Sequence, residues 1–266
     1  MTDRSEDLFS LAGKTALVTG GAKGIGALIT RTLVDAGCNV IVAARSAAAG
    51  TDMEATLAEV PGRCRFVASD LSTTAGVQAL AANLSETLPA LDILVNNAGT
   101  FDAAPLEATS AERWDAVLTL NLRAPFFLIQ ALLPLLTARA TAAEPARIVN
   151  IGSIGGLMPQ SNGGAYAYGC SKAAIHQLTR MLASDLKPRH VNVNAIAPGY
   201  FPSDMTNGFF AAVPGLRDKM LESIPAHRFG SAEDIGGFTV FLCSRAGAYL
   251  TGSITALDGG LLTAAQ

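Results

Sequence analysis

Seven short, mostly apolar runs recur along the 266-residue chain, separated by longer stretches of helical period. Lys14 to Thr19 (KTALVT), Cys38 to Ala43, Arg65 to Ala68, Leu91 to Val95, Ala146 to Ile151, Val191 to Ile196 and Ser253 to Leu257 read as strands. Runs of this kind are expected where helices cover both faces of a parallel sheet. The intervening helices are predicted from the first glycine turn through Ala36, over Ser46–Glu59, Thr73–Leu88, Ala111–Ala138 with Pro134 near its end, Ala165–Leu186, and Ala232–Ser244. Residues 200–225 mix Phe, Met, Pro and Gly without a clean period. Strand–helix alternation of this length predicts an α/β fold: a doubly wound parallel seven-stranded sheet, order 3-2-1-4-5-6-7, with right-handed crossovers and helices on both faces. No Pro/Gly/Ser linker divides the chain, so residues 1–266 are expected to form one domain. A ligand crevice is expected at the carboxyl edge, where the order reverses between strands 1 and 4.

Composition narrows the class. Half the residues are hydrophobic and 15% are charged, enough for a large core and too apolar for disorder. A net charge of −3, with acids and bases scattered, suggests neither a nucleic-acid groove nor an anionic membrane surface. The apolar run Pro125–Leu136 is shorter than the roughly 20 residues that span a bilayer. The first residues, MTDRSED, are charged and acidic rather than signal-like. Cys38, Cys64, Cys170 and Cys243 form no C-x-x-C pair and read as reduced thiols, which together points to a cytoplasmic protein. His176, His190 and His227 lack ligand spacing, so no metal is expected.

After the first strand comes Thr19-Gly20-Gly21-Ala22-Lys23-Gly24-Ile25-Gly26. Glycines at 20, 24 and 26 permit a tight turn and close approach of a phosphate, and the helix starting near Gly24 presents its amides and positive dipole end to the same point. That geometry suits a dinucleotide pyrophosphate in a Rossmann-like fold. The spacing T-G-x-x-x-G-x-G resembles that of the short-chain dehydrogenase/reductase family. The resemblance runs in order over roughly residues 10–260: Asp70-Leu71 after strand 3, Asn96-Asn97-Ala98-Gly99 after strand 4, Asn121 in the next helix, Ser153 after strand 5, Tyr168-Gly-Cys-Ser-Lys172, and Pro198-Gly199 after strand 6. It implies a cofactor site built from Gly20, Lys23, Gly24, Ile25, Gly26, Arg45, Asp70, Leu71, Asn97, Ala98, Gly99, Tyr168, Lys172, Pro198, Gly199 and Ser203. Asp70 would help hold the adenine. Ser203 stands where relatives often carry a threonine for the carboxamide.

Tyr168 and Lys172 are four apart, on one face of the predicted helix. A free phenol titrates near 10, and a neighbouring ammonium is expected to depress it toward the working pH. Tyr168 would then be the general acid in reduction and the base in oxidation. Tyr166 lacks such a partner, because its i+4 residue is Cys170. Ser153, just past strand 5, can donate to a substrate carbonyl as charge develops. By resemblance, Lys172 also binds the nicotinamide ribose and Asn121 holds a water that relays protons from Lys172.

Strand 2 ends Val42-Ala43-Ala44-Arg45-Ser46, with no acid to bind a ribose 2′-hydroxyl. Arg45 and Lys23 instead suit a 2′-phosphate, which points to NADP(H). Phe9-Ser-Leu-Ala-Gly13, Tyr166-Ala-Tyr168 and the stretch Pro198–Thr206 resemble bacterial 3-oxoacyl reductases, especially the type associated with rhamnolipid synthesis. A substrate lid is expected at about 200–225, carrying Tyr200, Phe201, Met205, Phe209, Phe210, Val213, Leu216, Met220 and Leu221, with Leu157 and Met158 on the opposite wall. Such a pocket favours an apolar ketone or acyl thioester over a sugar or polyol of the gluconate type. A non-catalytic nucleotide sensor is the competing class, but it would be expected to have lost Tyr168 or Lys172. Apolar faces on Ala124–Leu133 and Ile254–Leu262 suggest a homo-oligomer, a tetramer first.

Overall fold

The computed structural model describes residues 8–159, 164–202, 213 and 215–264. Strands β1 (Thr15–Thr19), β2 (Asn39–Ala44), β3 (Arg63–Ala68), β4 (Ile93–Asn96), β5 (Ala146–Ile151), β6 (Val191–Pro198) and β7 (Ile254–Leu257) form one sheet of order β3-β2-β1-β4-β5-β6-β7. All neighbours are parallel: Leu17 stands beside Ile41 on one side and Leu94 on the other. The order reverses between β1 and β4, as the alternation predicted.

The helices are α1 (Gly24–Asp35), α2 (Ala47–Thr56), α3 (Thr74–Thr87), α4 (Ala111–Leu118), α5 (Ala124–Thr137), α6 (Tyr166–Leu186), α7 (Leu216–Ser223), α8 (Ala232–Cys243) and the short α9 (Leu261–Ala264). The two-residue period of the strands splits the core in two. Leu17, Ile41, Leu94, Ile148 and Val193 pack against Leu84 of α3, Leu128 and Leu132 of α5 and Leu186 of α6. Val18, Val42, Val95 and Val149 face Ile29 and Leu33 of α1, Met53 of α2 and Ile235 of α8. Each fully buried aliphatic side chain contributes about 1.5–3 kcal/mol.

Three local expectations differ from the structure. The edge strand β3 starts two residues earlier than expected and alternates between exposed and half-buried positions, because its outer side has no neighbour. The predicted Ala111–Ala138 helix is interrupted, not at Pro134, which α5 accommodates, but by a π-helical turn over Thr119–Arg123. The Ala111–Thr137 run is long and apolar enough to cross a membrane by length and composition alone. However, Leu128, Ile129, Leu132 and Leu136 of its second half are buried against the sheet. Finally, residues 200–225 contain α7, which sequence period did not reveal.

Candidate active site

The glycine turn is held down by the segment after β4. Thr19 accepts hydrogen bonds at Oγ1 from the N–H groups of Asn97 and Ala98, both 3.0 Å, while Asn97 Nδ2 donates to the carbonyls of Thr19 (2.9 Å) and Gly20 (3.1 Å). A Cβ at Gly26 would lie 2.3 Å from the Gly20 oxygen and 2.4 Å from Asn97 Nδ2, so only glycine allows this approach. Gly20 and Gly24 both have positive φ, 64° and 52°. No side chain caps the first turn of α1, leaving its N-terminal amides without a capping acceptor at the mouth of the turn. Lys23 and Arg45 are exposed beside it, and Ile25 lies in the first turn. These features fit a dinucleotide: a cradle a Cβ would fill, uncapped amides and two cations.

Asp70 and the buried Leu71 follow β3. The Asp70 carboxyl is held below its ordinary range, first by hydrogen bonds from the Ser72 side chain and backbone and then by the charge of Arg45. Arg45 and Asp70 therefore share one rim of the crevice. Gly99 lies near Asn121, and a Cβ there would be 3.2 Å from Asn121 Oδ1. Pro198 ends β6, and the Gly199 N–H donates to Leu257 O at 3.0 Å. Ser203 lies outside the described residues, as do Met205, Phe209 and Phe210.

On α6, Lys172 is buried, its Nζ donates to Ile151 O at 2.8 Å, and it lies 5.6 Å from the Tyr168 ring centre. Ser153 caps a 3-10 turn over Ile154–Gly156, where its Oγ accepts the Gly155 N–H at 3.1 Å. That bond leaves the Ser153 hydroxyl proton free to be donated. Burial pushes the Tyr168 phenol above its ordinary value, and the Ser153 hydroxyl, within hydrogen-bonding reach, pulls it down. The expectation that Lys172 depresses the phenol is not met by these side chains alone. The ammonium lies over the ring face and is committed to a carbonyl. Burial also lowers its own pKa to about 8.

Asn121 falls in the π turn, a feature often found at functional sites. Its Oδ1 accepts from the Thr100 N–H (2.8 Å), and its Nδ2 donates to Thr100 O (2.9 Å) and Ser171 Oγ (3.1 Å). Ser171 in turn donates to Tyr168 O at 2.7 Å. The Asn121 side chain thus ties the loop after β4 to the tyrosine helix, and both its amide hydrogens are engaged in that role.

Several contributors were not foreseen. Phe101 meets Tyr168 edge to face with ring centres 5.0 Å apart. A Cβ at Gly156 would lie 2.5 Å from the Lys172 carbonyl carbon, so this glycine lets the serine loop press onto α6. Gly152 is filled in the same way by the buried His176 ring. Of the expected lid residues, Phe201 belongs to the sheet core, and Gly230 exists to admit its ring. Tyr200 packs with Ile224 and Leu261. Leu157 and Val213 are exposed. Cys170 is exposed and unpaired.

Burial, then the Lys172 and Arg180 charges, lowers the His176 pKa from 6.5 to about 4, with a weaker opposing effect from the Gly156 backbone. Between those values the unfolded chain binds the extra proton, so stability falls as pH falls through this window. Acidification from pH 6.5 to 4.5 is expected to remove about 2–3 kcal/mol through this group, at about 1.4 kcal/mol per pH unit. Denaturant titrations of wild type and His176→Leu check this. The variant should lose most of that slope, and an equal loss in both would assign it elsewhere.

The arrangement places a phenol, a hydroxyl and an ammonium beside a dinucleotide-type turn. The family model described as enoyl-(acyl carrier protein) reductase matches residues 20–262. This chain belongs to the short-chain dehydrogenase/reductase family of oxidoreductases. It is 48% identical, over 95% of its length and 97% of the relative's, to the rhamnolipids biosynthesis 3-oxoacyl-[acyl-carrier-protein] reductase of Pseudomonas aeruginosa. It is 37% identical, over 97% and 98%, to the 2-dehydro-3-deoxy-D-gluconate 5-dehydrogenase of Bacillus subtilis. The solved Pseudomonas aeruginosa RhlG/NADP active-site complex superposes with a TM-score of 0.91 at 47% identity, covering 96% of this chain and 98% of the other.

Proposed function

We propose that this protein is an NADP(H)-dependent reductase that converts a 3-oxoacyl thioester to the 3-hydroxyacyl product. The convergence of Ser153, Tyr168 and Lys172, in a chain whose first helix starts uncapped after a glycine turn, carries the reading. The Gly20–Gly26 turn, Lys23, Arg45, Asp70, Leu71 and the Asn97–Gly99 segment would hold NADPH, which would supply the hydride and leave as NADP+. Pro198 and Gly199 would complete that side, and Lys172 would serve the ribose. Ser153 donates a hydrogen bond to the carbonyl oxygen as it becomes negative, in a site dry enough for the bond to count. Tyr168 delivers its phenolic proton to that oxygen. Its elevated pKa keeps the proton in place until it is needed, which suits an acid in the reducing direction. Asn121 fixes the helix that carries Tyr168 and Lys172 and would hold a water that relays protons from Lys172 to solvent.

Phe101, packed on the Tyr168 ring, and Leu157 and Met158, just past the Ser153 turn, are apolar and favour an acyl chain. The 48% identical reductase supports the same substrate class. The gluconate-type relative supports a polyol substrate as the second reading. Loss of NADPH absorbance on adding a 3-oxoacyl thioester tests the proposal. Turnover of that substrate is expected, and its absence alongside rapid reduction of a keto-gluconate would favour the second reading.

Phe126 and Phe127 on α5 and Tyr166 and Met181 on α6 are exposed. We propose that α5 and α6 pair across a two-fold axis in a homotetramer. Light scattering is expected to give about four times the 27.3 kDa chain mass. A mass of one chain at micromolar concentration would contradict it.

A further inference from the structure

On the side of the sheet opposite the catalytic crevice, a cleft of about 230 Å³ opens at the amino ends of β1, β4 and β5. Its wall holds Arg147, a β5 residue only 3% exposed. Arg147 donates from Nε to Leu242 O (3.1 Å), from Nη2 to Ser244 O (3.1 Å) and from Nη1 to Pro145 O. A guanidinium has five N–H donors, so these three bonds leave two without a protein acceptor among the described residues. No carboxylate among the described residues bonds to it. The carbonyls around it carry no full charge, and the nearest acid, Glu144, acts on it only through space while bonded to Lys14.

The acids at the cleft are already matched. Glu144 Oε2 accepts from Lys14 Nζ at 2.8 Å. Asp92 Oδ2 accepts from the Thr15 N–H at 2.8 Å and from Arg139 Nη2 at 3.0 Å. Arg245 also lines the cleft. The Glu144 carboxyl sits below its ordinary range, first through the Lys14 hydrogen bond and then through the charges of Lys14, Arg147 and Arg245. The field in the cleft therefore favours a negative charge. The volume has room for a small polar ligand and its waters.

We infer that this cleft binds a compact oxyanion, a small carboxylate or phosphate-type group, seated on the Arg147 guanidinium. The three strands that end there carry the glycine turn, the Asn97–Gly99 segment and Ser153 at their other ends. A bound anion would thus contact the same scaffold from behind.

Calorimetric titration of inorganic phosphate, and separately of succinate, into the NADP+-saturated protein at low ionic strength tests this. Saturation with NADP+ fills the cationic site at Lys23 and Arg45. At least one of the two anions is expected to bind saturably at one per chain, and which one does so distinguishes phosphate-type from carboxylate ligands. Arg147→Met is expected to weaken binding at least about ten-fold, the scale of one charge-assisted contact. Ala12→Phe, which adds bulk at an exposed lining position of the cleft, should do the same if the Arg147 variant fails to fold. No saturable binding of either anion, or binding unchanged in a folded variant, would overturn the inference.

Discussion

Tyr168→Phe is expected to lower kcat by at least about 10²–10⁴-fold, the contribution of a general acid, while NADPH still binds. The substitution removes one oxygen and its proton from a half-buried ring that keeps its edge contact with Phe101. The cofactor contacts assigned to the glycine turn and Lys172 do not use that oxygen. Lys172 also keeps its bond to Ile151 O, because the ring is not its hydrogen-bond partner. NADPH fluorescence titration and steady-state turnover, measured on the same preparation, separate the two effects. Near-normal kcat in the variant would remove Tyr168 from the acid role. Weak cofactor binding with no loss of kcat would assign it a binding role instead.

Arg45→Asp is expected to reverse the coenzyme preference. The wild type should prefer NADPH, since a hydrogen bond to a charged group contributes about 1.5–3 kcal/mol, or roughly ten-fold or more per cation. Arg45 follows β2 at the rim shared with Asp70, where a 2′-phosphate would lie. Replacing the cation by a carboxylate repels that phosphate and offers an acceptor to a ribose hydroxyl, so NADPH should lose and NADH should gain. The ratio of kcat/KM values for the two coenzymes, in both proteins, checks this. Equal wild-type values, or a ratio indifferent to the substitution, would place the 2′-phosphate elsewhere.

What the sequence revealed and what it concealed differ in range. Strand order, the glycine turn and the Tyr168–Lys172 pair are written in short windows, where period and spacing carry the signal. Asn121 was visible as a candidate, but its π turn was not. That turn coincides with bonds to Thr100 and Ser171, residues 21 and 50 positions away. Phe101 is 67 positions before the ring it touches, so no local pattern announces it. Gly152 and Gly156 read as ordinary turn residues until α6 supplies the atoms that exclude a side chain. Phe201 read as a lid residue because it follows the Pro198-Gly199 element, yet Gly230 opens a place for it in the core. The direction of the Tyr168 shift failed for a related reason. Spacing places an ammonium near a phenol, but only the packed structure shows how strongly both are desolvated.

The substrate assignment is the central claim, and a chain-length series tests it most directly. Steady-state kcat/KM should be measured with NADPH for 3-oxoacyl thioesters of increasing length, with a keto-gluconate in parallel. Each added methylene that becomes buried contributes about 0.8 kcal/mol, or roughly four-fold. The account predicts kcat/KM rising by steps approaching that size until the pocket is filled, with the keto-gluconate a poor substrate. Values that stay flat or fall with length, while the keto-gluconate is reduced efficiently, would contradict it.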